Sequence, residues 1–270
     1  MRERPRTARC DCADDRCERQ QLAKSLELVA RQALVNDLIG LVCLLPIPLL
    51  HKGERRPLRL VFRWGTIIWR DCFDKARDIA LKPLDSLISH DPDLRKRGAL
   101  RVLEIGGGLG HNFEFFNRPV LYTNVDPNPE FNVHFKKKLE NYPKVELEKW
   151  IQAYGENMTQ LENGSFDAVL CTYMMCSVKD VQKVLSEARR VLVKGGHLIF
   201  LDHVGYPKGT WLRWMQDILS PLWKVALCNC CLNLDTEEHI RASGFSEVTV
   251  RYFDVDIPLL SRQICGVAVA

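Results

Sequence analysis

Apolar and polar positions follow two different periods along this chain, and the change of period predicts its elements. Short, mostly apolar runs predict strands over 101–105, 120–125, 166–171 and 197–201. Residues 145–151 are predicted to form a further strand. Two further strands are predicted over 245–255 and 264–270. Helical spacing predicts helices over 72–88, 129–139, 177–193 and 236–242, and another from His111 onward. Strands that alternate with helices indicate an α/β fold, with a doubly wound, mostly parallel sheet of seven strands.

The first 98 residues depart from this alternation and form two predicted segments. Residues 1–21 are polar, with interspersed charges and no apolar run, which predicts disorder. Residues 22–98 are predicted to form a helical extension that ends in a polar linker over 89–98. The α/β domain is expected over 99–270, and the tryptophan-rich residues 210–226 are predicted to form an inserted helical lid within it.

An uncharged apolar run lies at 38–50 of the extension. It is shorter than the roughly 20 residues that a membrane-spanning helix needs. Basic residues follow it directly, namely Lys52, Arg55, Arg56, Arg59 and Arg63. An apolar segment beside basic residues and tryptophans (Trp64, Trp69) is typical of a segment that lies in one leaflet of a membrane. The alternative is a helical cap packed on the α/β domain, with its basic residues solvated.

The composition of the 270 residues is that of a globular protein, with 46% hydrophobic and 27% charged residues. A net charge of +4 is too small to indicate a nucleic-acid partner. Eleven cysteines are an odd number in a long chain, which favours free thiols in a reducing, cytosol-facing compartment over a disulfide framework.

Two groups of cysteines raise the question of a metal site. They are Cys10, Cys12 and Cys17, and Cys228, Cys230 and Cys231. Neither group contains a C-x-x-C pair with a matching partner pair, and no histidine stands at finger spacing. The sequence therefore predicts no metal, and we expect free thiols, with lipidation of some as the alternative.

A glycine-rich loop directly follows the first predicted strand. Its pattern is Glu104-x-Gly106-x-Gly108-x-Gly110, with a fourth glycine at 107. A dinucleotide fingerprint that starts at Gly106 would need glycine at 111, where His111 stands. The pattern resembles instead the first motif of class I S-adenosylmethionine (SAM) methyltransferases. Glycines let the backbone approach the cofactor, and an acidic residue suits the amino group and sulfonium of SAM.

The second predicted strand ends at Asp126, twenty positions after Gly106. Nucleotide-binding α/β units carry at this point the carboxylate that binds the ribose hydroxyls. Asp126 also begins a turn, Asp126-Pro-Asn-Pro129, that aspartate and proline favour for local reasons. With the glycine loop upstream, the ribose role is the preferred interpretation.

From Val102 to the C-terminus the chain resembles the methyltransferase-like alkyl thiol S-methyltransferases of the endoplasmic reticulum and lipid droplets. The segments that carry the resemblance are Glu-Ile-Gly-Gly-Gly-Leu-Gly (104–110), Val-Asp-Pro-Asn-Pro (125–129), Gly-Glu-Asn-Met (155–158), Gly-Ser-Phe-Asp-Ala-Val-Leu-Cys-Thr (164–172), Cys-Ser-Val (176–178), Arg-Val-Leu-Val-Lys-Gly-Gly (190–196) and Asp-His-Val (202–204). Three of them, at 125–129, 155–158 and 176–178, are more particular to this family.

The resemblance implies a class I fold, SAM as methyl donor and an N-terminal hydrophobic anchor. Carried over by position, Glu104, Gly106, Gly108 and Gly110 hold the methionine end of SAM, Asp126 binds the ribose, Gly155 and Glu156 border the adenine, and Cys171 lies near it. Three departures stand out. The family's glycine-cysteine-glycine is Gly106-Gly107-Gly108 here, Tyr154 replaces the aspartate that many class I enzymes use for adenine, and a long polar stretch precedes the apolar run.

The resemblance further implies that the methyl group passes to the sulfur of a small alkyl thiol by in-line displacement. A thiolate is readily populated near neutral pH, so a dedicated base is not required. If one is used, the candidate is His203, which follows Asp202 at the end of the fifth predicted strand; the alternative is a structural histidine.

Two other functions remain open at this stage. One is O- or C-methylation of a lipid-like or quinone-like molecule, and the other is a non-catalytic membrane or lipid-droplet protein that retains a SAM pocket. The expected location is the cytosolic face of the endoplasmic reticulum membrane or the lipid droplet, with the cytoplasm as the alternative.

Overall fold

The computed structural model of the protein describes residues 70–226, 229–257 and 259–270. The predictions made for residues 1–69 lie outside these described residues. They are the disorder over 1–21, the first part of the helical extension and the apolar run over 38–50.

The described residues form helices and strands that alternate along the chain. The α-helices are α1 (Arg70–Leu81), α2 (Pro92–Lys96), α3 (Glu130–Leu139), α4 (Val181–Val191), α5 (Trp211–Ala226) and α6 (Thr236–Arg241). The strands are β1 (Leu100–Ile105), β2 (Val120–Val125), β3 (Val145–Ile151), β4 (Phe166–Thr172), β5 (Leu192–His203), β6 (Glu247–Asp254) and β7 (Arg262–Val269). Short 3₁₀ segments lie at Lys82–Ser86, Phe113–Phe115 and Met175–Ser177.

Within the described residues all seven strands join one sheet, in the order β3-β2-β1-β4-β5-β7-β6. The pairs among β1 to β5 are parallel, and β7 runs antiparallel to both of its neighbours. The predicted doubly wound, mostly parallel sheet of seven strands is confirmed. Strand order reverses between β1 and β4, and an open α/β sheet binds ligands at the carboxyl ends of the strands beside such a reversal.

The central strands form because they are apolar on both faces. Every residue of β4 is buried, as expected for a strand in the middle of a parallel sheet covered on both sides. Along β1, Leu103 and Ile105 belong to the apolar cluster on one face, whereas Leu100 and Val102 belong to the cluster on the other. This alternation follows from the two-residue period of a strand.

The residues before β1 pack on the sheet instead of leading away from it. Ala76 and Ala80 of α1 form a small apolar cluster with Leu201 of β5 and Cys265 of β7. The stretch predicted as a linker over 89–98 contains the short helix α2, because the Asp91 carboxylate caps its first amides. The division into an extension and an α/β domain at residue 98 stays a prediction.

Three predicted helices differ from the structure. The helix expected over 72–88 begins at Arg70 and ends at Leu81, where a 3₁₀ segment that contains Pro83 follows. The helix expected from His111 onward is only the 3₁₀ turn Phe113–Phe115, because the glycine loop takes up much of the connection between β1 and β2. The helix expected over 177–193 begins at Val181, where the Asp180 side chain accepts a hydrogen bond from the Lys183 amide (3.1 Å), and ends at Val191.

Candidate active site

The glycine loop lies at the carboxyl end of β1, beside the reversal of strand order. Gly106, Gly108 and Gly110 have φ angles of 74°, 53° and 72°, a left-handed region that residues with a Cβ rarely adopt. The Gly106 amide donates to the Val125 carbonyl (2.8 Å), which attaches the start of the loop to the end of β2. The loop therefore exposes backbone at the edge of the sheet where a cofactor binds.

Glycine is required at position 107 because a side chain there would clash with its neighbours. Its amide donates to Asn124 Oδ1 (3.1 Å), and a Cβ at this position would lie 2.2 Å from that oxygen and 2.9 Å from the Tyr122 hydroxyl. Asn124 and Tyr122 beneath the loop therefore leave no room for the cysteine that the family usually has at this position.

Asp126 follows β2 and is almost fully buried. Its Oδ2 accepts a hydrogen bond from the Gly108 amide (3.0 Å) and its Oδ1 from the Asn128 amide (2.8 Å). Burial raises the pKa of this carboxyl, while the two amide donors lower it. Asp126 therefore ties the glycine loop to the turn after β2. A carboxylate oxygen accepts more than one hydrogen bond, so both oxygens keep acceptor capacity for the predicted ribose contact.

Glu104 is buried beneath the same loop. It accepts hydrogen bonds from the Tyr122 hydroxyl and from Asn112 Nδ2 (2.8 Å), and Asn112 Nδ2 also donates to Thr172 Oγ1 (2.9 Å). Burial raises the pKa of Glu104 to about 7, although Tyr122 and the charge of Arg77 lower it. Glu104 thus links the ends of β1, β2 and β4, and a cationic group nearby would favour its ionised form.

Arg77, which was not among the predicted site residues, brings a positive charge to this region from α1. Its guanidinium carbon lies 5.4 Å from the centroid of the Tyr173 ring, and its Nη1 donates to Asp74 Oδ1 (3.1 Å). The buried atoms Arg77 Nε and Tyr173 Oη have no hydrogen-bond partner among the described residues. No sequence signal marks Arg77, since it precedes the glycine loop by nearly thirty positions.

Tyr173 directly follows β4 and has a φ angle of 52°. This backbone conformation is strained for an aromatic residue and is concentrated at functional sites. Because Tyr173 lies against Arg77 and follows Thr172 of the Glu104 network, it belongs to the same edge of the sheet.

The residues predicted to border adenine have structural contacts of their own. A Cβ on Gly155 would lie 2.7 Å from Ile105 Cγ2, so glycine allows the chain to approach β1 closely. Glu156 accepts hydrogen bonds from the amides of Lys179 (2.9 Å) and Asp180 (3.4 Å). Their adenine role stays a prediction.

Cys171 of β4 lies fully inside the apolar cluster on one face of the sheet. Burial raises the pKa of its thiol far above that of a free cysteine. The side chain is therefore an uncharged packing group, and any contribution near the adenine is one of shape.

His203 ends β5 and is buried. Its Nε2 lies 3.1 Å from Cys230 Sγ, and the Cys230 and Cys176 sulfurs are 3.6 Å apart. The buried Asp202 carboxylate accepts from the amides of Cys176 (3.1 Å) and His203 (2.9 Å). Burial alone lowers the pKa of His203, but Cys176 and Asp202 raise it above the value of a free imidazole. The histidine predicted as a base thus faces two thiols.

Cys176 also lines a cleft of about 500 Å³. Other residues that line it include Met175, Val178, Cys231, Leu234 and His239. The lining also includes the charged residues Lys179, Asp180 and Lys224. A cleft of this mixed character beside the carboxyl edge of the sheet suits a small molecule with both polar and apolar parts.

Comparison with known proteins agrees with this geometry. A family model described as a methyltransferase domain matches residues 103–200. Thiol S-methyltransferase TMT1B of Homo sapiens is 40% identical over 151 residues, which cover 56% of this chain and 62% of that protein. Thiol S-methyltransferase TMT1A of Homo sapiens is 34% identical over 174 residues, which cover 64% of this chain and 71% of that protein.

Among solved structures, a SAM-dependent methyltransferase of Thermotoga maritima, described as a possible histamine N-methyltransferase, has the same fold. The TM-score is 0.54 at 20% identity, and the match covers 78% of this chain and 97% of that one. The sheet order, the glycine loop after β1 and the acidic residue after β2 define a class I SAM-dependent methyltransferase. Within that class, the chain belongs to the family of the thiol S-methyltransferases.

Proposed function

We propose that this protein transfers the methyl group of SAM to the sulfur of a small alkyl thiol. Membership of the thiol S-methyltransferase family carries the proposal. When bound, SAM supplies a methyl carbon already activated by the adjacent sulfonium. The protein's task is to align the acceptor with that carbon and to exclude water.

The residues at the edge of the sheet fit the parts of SAM. Asp126 accepts hydrogen bonds from the ribose hydroxyls through the acceptor capacity that the Gly108 and Asn128 amides leave unused. Arg77 binds the carboxylate of the methionine end through its Nε, which has no hydrogen-bond partner among the described residues, and Glu104 favours the ammonium group of that end. Gly106, Gly108 and Gly110 lack side chains, so the loop backbone can approach the methionine end of SAM closely.

A thiol acceptor would not require a dedicated base at the site. A thiol becomes a strong nucleophile on losing its proton near neutral pH, whereas an alcohol would need a strong base. His203, the predicted candidate, faces Cys230 and Cys176, and the Asp202 carboxylate is already engaged with two amides.

We also propose that the protein works at a lipid surface, that of the endoplasmic reticulum or lipid droplets. Among the described residues no helix has the length and apolar character to cross a membrane. Helix α5, however, has an exposed apolar row, formed by Trp211, Leu212, Trp214, Ile218, Leu222 and Val225. The opposite, inner face of α5 is held by polar contacts. One of them is the hydrogen bond that the Tyr206 amide donates to Gln216 Oε1 (2.8 Å).

A lipid surface is the occupant that best fits this row. Trp211 and Trp214 stack with their ring centroids 4.6 Å apart, and tryptophan favours the interface between lipid and water. The apolar run and basic cluster in the sequence over 38–63 favour the same kind of surface, with anionic headgroups.

Release of S-adenosylhomocysteine tests the proposed reaction. The full chain is incubated with SAM and, in separate samples, an alkyl thiol, hydrogen sulfide, a phenol and a fatty acid. We expect product with the thiols alone and little product from Asp126→Ala. Asp78→Ala, which removes an exposed carboxylate of α1, is the matched control.

The other outcomes each select a different function. Turnover of the phenol or fatty acid would support SAM as the methyl donor but would show that the acceptor is not a thiol. SAM binding without turnover of any acceptor would favour a non-catalytic role.

A further inference from the structure

We propose that Cys176, His203 and Cys230 form a binding site for a thiophilic divalent metal ion, with Zn²⁺ as the fitting ion. The two sulfurs and the imidazole nitrogen all lie within 4.8 Å of one another. The three residues are far apart in the chain and match no finger spacing, so the sequence alone predicted no metal. The fold brings them together from the turn after β4, the end of β5 and the segment after α5.

The distances between the donor atoms are close to those of a tetrahedral zinc site. Zinc–sulfur bonds of about 2.3 Å and zinc–nitrogen bonds of about 2.0 Å separate neighbouring ligand atoms by about 3.5–3.8 Å. Cys176 Sγ and Cys230 Sγ are 3.6 Å apart, and His203 Nε2 lies 3.1 Å from Cys230 Sγ. The third separation, between Cys176 Sγ and the imidazole nitrogen, is at most 4.8 Å, so the side chains adjust around the ion when it binds.

The backbone around the three donors is already fixed, which favours a built site over a chance meeting of side chains. The Cys176 amide donates to Asp202 Oδ2 (3.1 Å), and the His203 amide donates to Asp202 Oδ1 (2.9 Å). The Cys231 amide donates to the Cys176 carbonyl (2.8 Å), which positions Cys230 beside it. A ligand set held in this way loses little conformational freedom when the metal binds.

The chemistry of the donors selects the metal. Thiolate sulfur and imidazole nitrogen suit zinc and other thiophilic ions, whereas magnesium and calcium require oxygen ligands. The Nδ1 atom of His203 is buried and has no hydrogen-bond partner among the described residues. The other ring nitrogen, Nε2, faces Cys230 Sγ (3.1 Å) and is the atom that would bind the ion.

Two cysteines and one histidine leave the fourth position of a tetrahedral ion open, as in catalytic zinc sites. Cys176 lines the cleft of about 500 Å³, so a small molecule in the cleft reaches the neighbourhood of the ion. Resting on the proposed function, the open position takes the sulfur of the acceptor thiol. On binding, the thiol gives its proton to solvent. As the thiolate then forms its bond to the methyl carbon, the bond from that carbon to the sulfonium breaks.

Cobalt(II) titration of the full, reduced, metal-free chain tests the site, because cobalt replaces zinc in tetrahedral sites and reports thiolate ligands by a charge-transfer band. We expect one equivalent of cobalt to produce the band and zinc to displace it. Cys176→Ser and Cys230→Ser each weaken cobalt binding by at least tenfold. Cys230 is only partly buried, so the second variant keeps the test valid if the first fails to fold.

Two control variants separate this site from the other cysteines. Cys231→Ser changes the adjacent thiol, which hydrogen-bonds to Asn233 Oδ1 (3.1 Å) and lies outside the donor set. The triple replacement of Cys10, Cys12 and Cys17 by serine removes the N-terminal thiols. Both controls keep the band. Its absence from the parent protein, its persistence in Cys230→Ser or its loss in the triple variant would overturn the metal site.

Addition of an alkyl thiol to the cobalt form tests the open position separately. A change in the charge-transfer band supports direct coordination of the acceptor, and an unchanged band at saturating thiol contradicts it. Thiol methylation by the metal-free chain at the full rate would refute the metal's role in the reaction while it upholds the proposed function. A normal cobalt band in a chain that methylates no thiol would support the metal site and refute the proposed function.

Discussion

At the scale of single residues, the two carboxylates beneath the glycine loop differ in what surrounds them. Asp126 bonds to two backbone amides, whereas Glu104 is enclosed by the side chains of Tyr122 and Asn112. The two amide donors favour the ionised form of Asp126, whereas burial, the larger effect, raises its pKa. Glu104 behaves as a buried acid whose charge depends on its neighbours.

Asp126→Ala is expected to weaken SAM binding by about tenfold or more, because it removes charge-assisted hydrogen bonds to the ribose. Isothermal titration calorimetry with SAM measures the change. Asp126→Asn retains one acceptor oxygen and is expected to lose less affinity, and Asp78→Ala is expected to lose none. An unchanged dissociation constant in Asp126→Ala would refute the ribose assignment.

Glu104 gives a prediction about pH. Its pKa of about 7 in the folded protein exceeds the value of about 4.3 in an unfolded chain. The folded protein therefore binds a proton that the unfolded chain has released, so this group's stabilising contribution is full below pH 4 and is lost as the pH rises through about 7. Relative to the parent, Glu104→Gln is expected to gain about 2–3 kcal/mol in free energy of unfolding between pH 5 and pH 8.

Urea unfolding of parent and variant at both pH values, without cofactor, measures this difference. The Glu156→Gln variant, whose carboxylate is bonded to two amides at the start of α4, serves as a control that is expected to lack this gain. Parallel stability curves for the parent and Glu104→Gln would contradict the buried-acid account.

Arg77→Met is expected to raise the dissociation constant for SAM by about tenfold or more, because it removes the proposed partner of the methionine carboxylate. Arg70→Met is the matched control, since Arg70 is exposed on the same helix and pairs with the same Asp74 (3.1 Å). Equal dissociation constants for the two variants would exclude this role for Arg77.

At the scale of elements, the sequence predicted strands better than helices, for a physical reason. A strand such as β4 is buried on both faces, so its composition alone reveals it. The extent of a helix depends on caps and on the space around it, which explains why α4 begins at Val181 and why Phe113–Phe115 forms only a 3₁₀ turn.

The site residues also differ in how far the sequence could predict them. Glycines with positive φ and an aspartate after a strand have local signals, so Gly106 and Asp126 could be predicted as loop and site residues. Arg77 and the group of Cys176, His203 and Cys230 come together only through tertiary packing. No local pattern in the sequence carries that information.

Helix α5 gives a prediction that belongs to the whole element. Replacement of Trp211 and Trp214 by glutamine is expected to lower binding of the full chain to vesicles with anionic lipid by about tenfold or more, because it removes the stacked pair from the apolar row. Vesicle flotation measures the bound fraction. Ile88→Gln removes an exposed apolar side chain elsewhere and is expected to change nothing. Equal flotation of all three proteins would show that α5 does not contact lipid.

At the scale of the whole molecule, one edge of the sheet combines the features of the proposed reaction. The glycine loop and Asp126 lie on one side of the reversal between β1 and β4. On the other side, Cys176 lies in the turn after β4, and His203 is the last residue of β5. Cys176 also lines the cleft. The predicted cofactor residues and the proposed acceptor cleft therefore lie on opposite halves of one mostly parallel sheet, as the doubly wound topology favours.

The most direct test of a SAM-dependent thiol methyltransferase is the fate of the methyl group itself. The full chain is incubated with SAM that carries a deuterated methyl group and with hexanethiol or hexanol, two acceptors that differ in the single atom to be methylated. Mass spectrometry then follows the label. The account predicts deuterated methyl hexyl sulfide from the thiol and no methyl ether from the alcohol. Label on the alcohol, or on neither acceptor while SAM is bound, would contradict it.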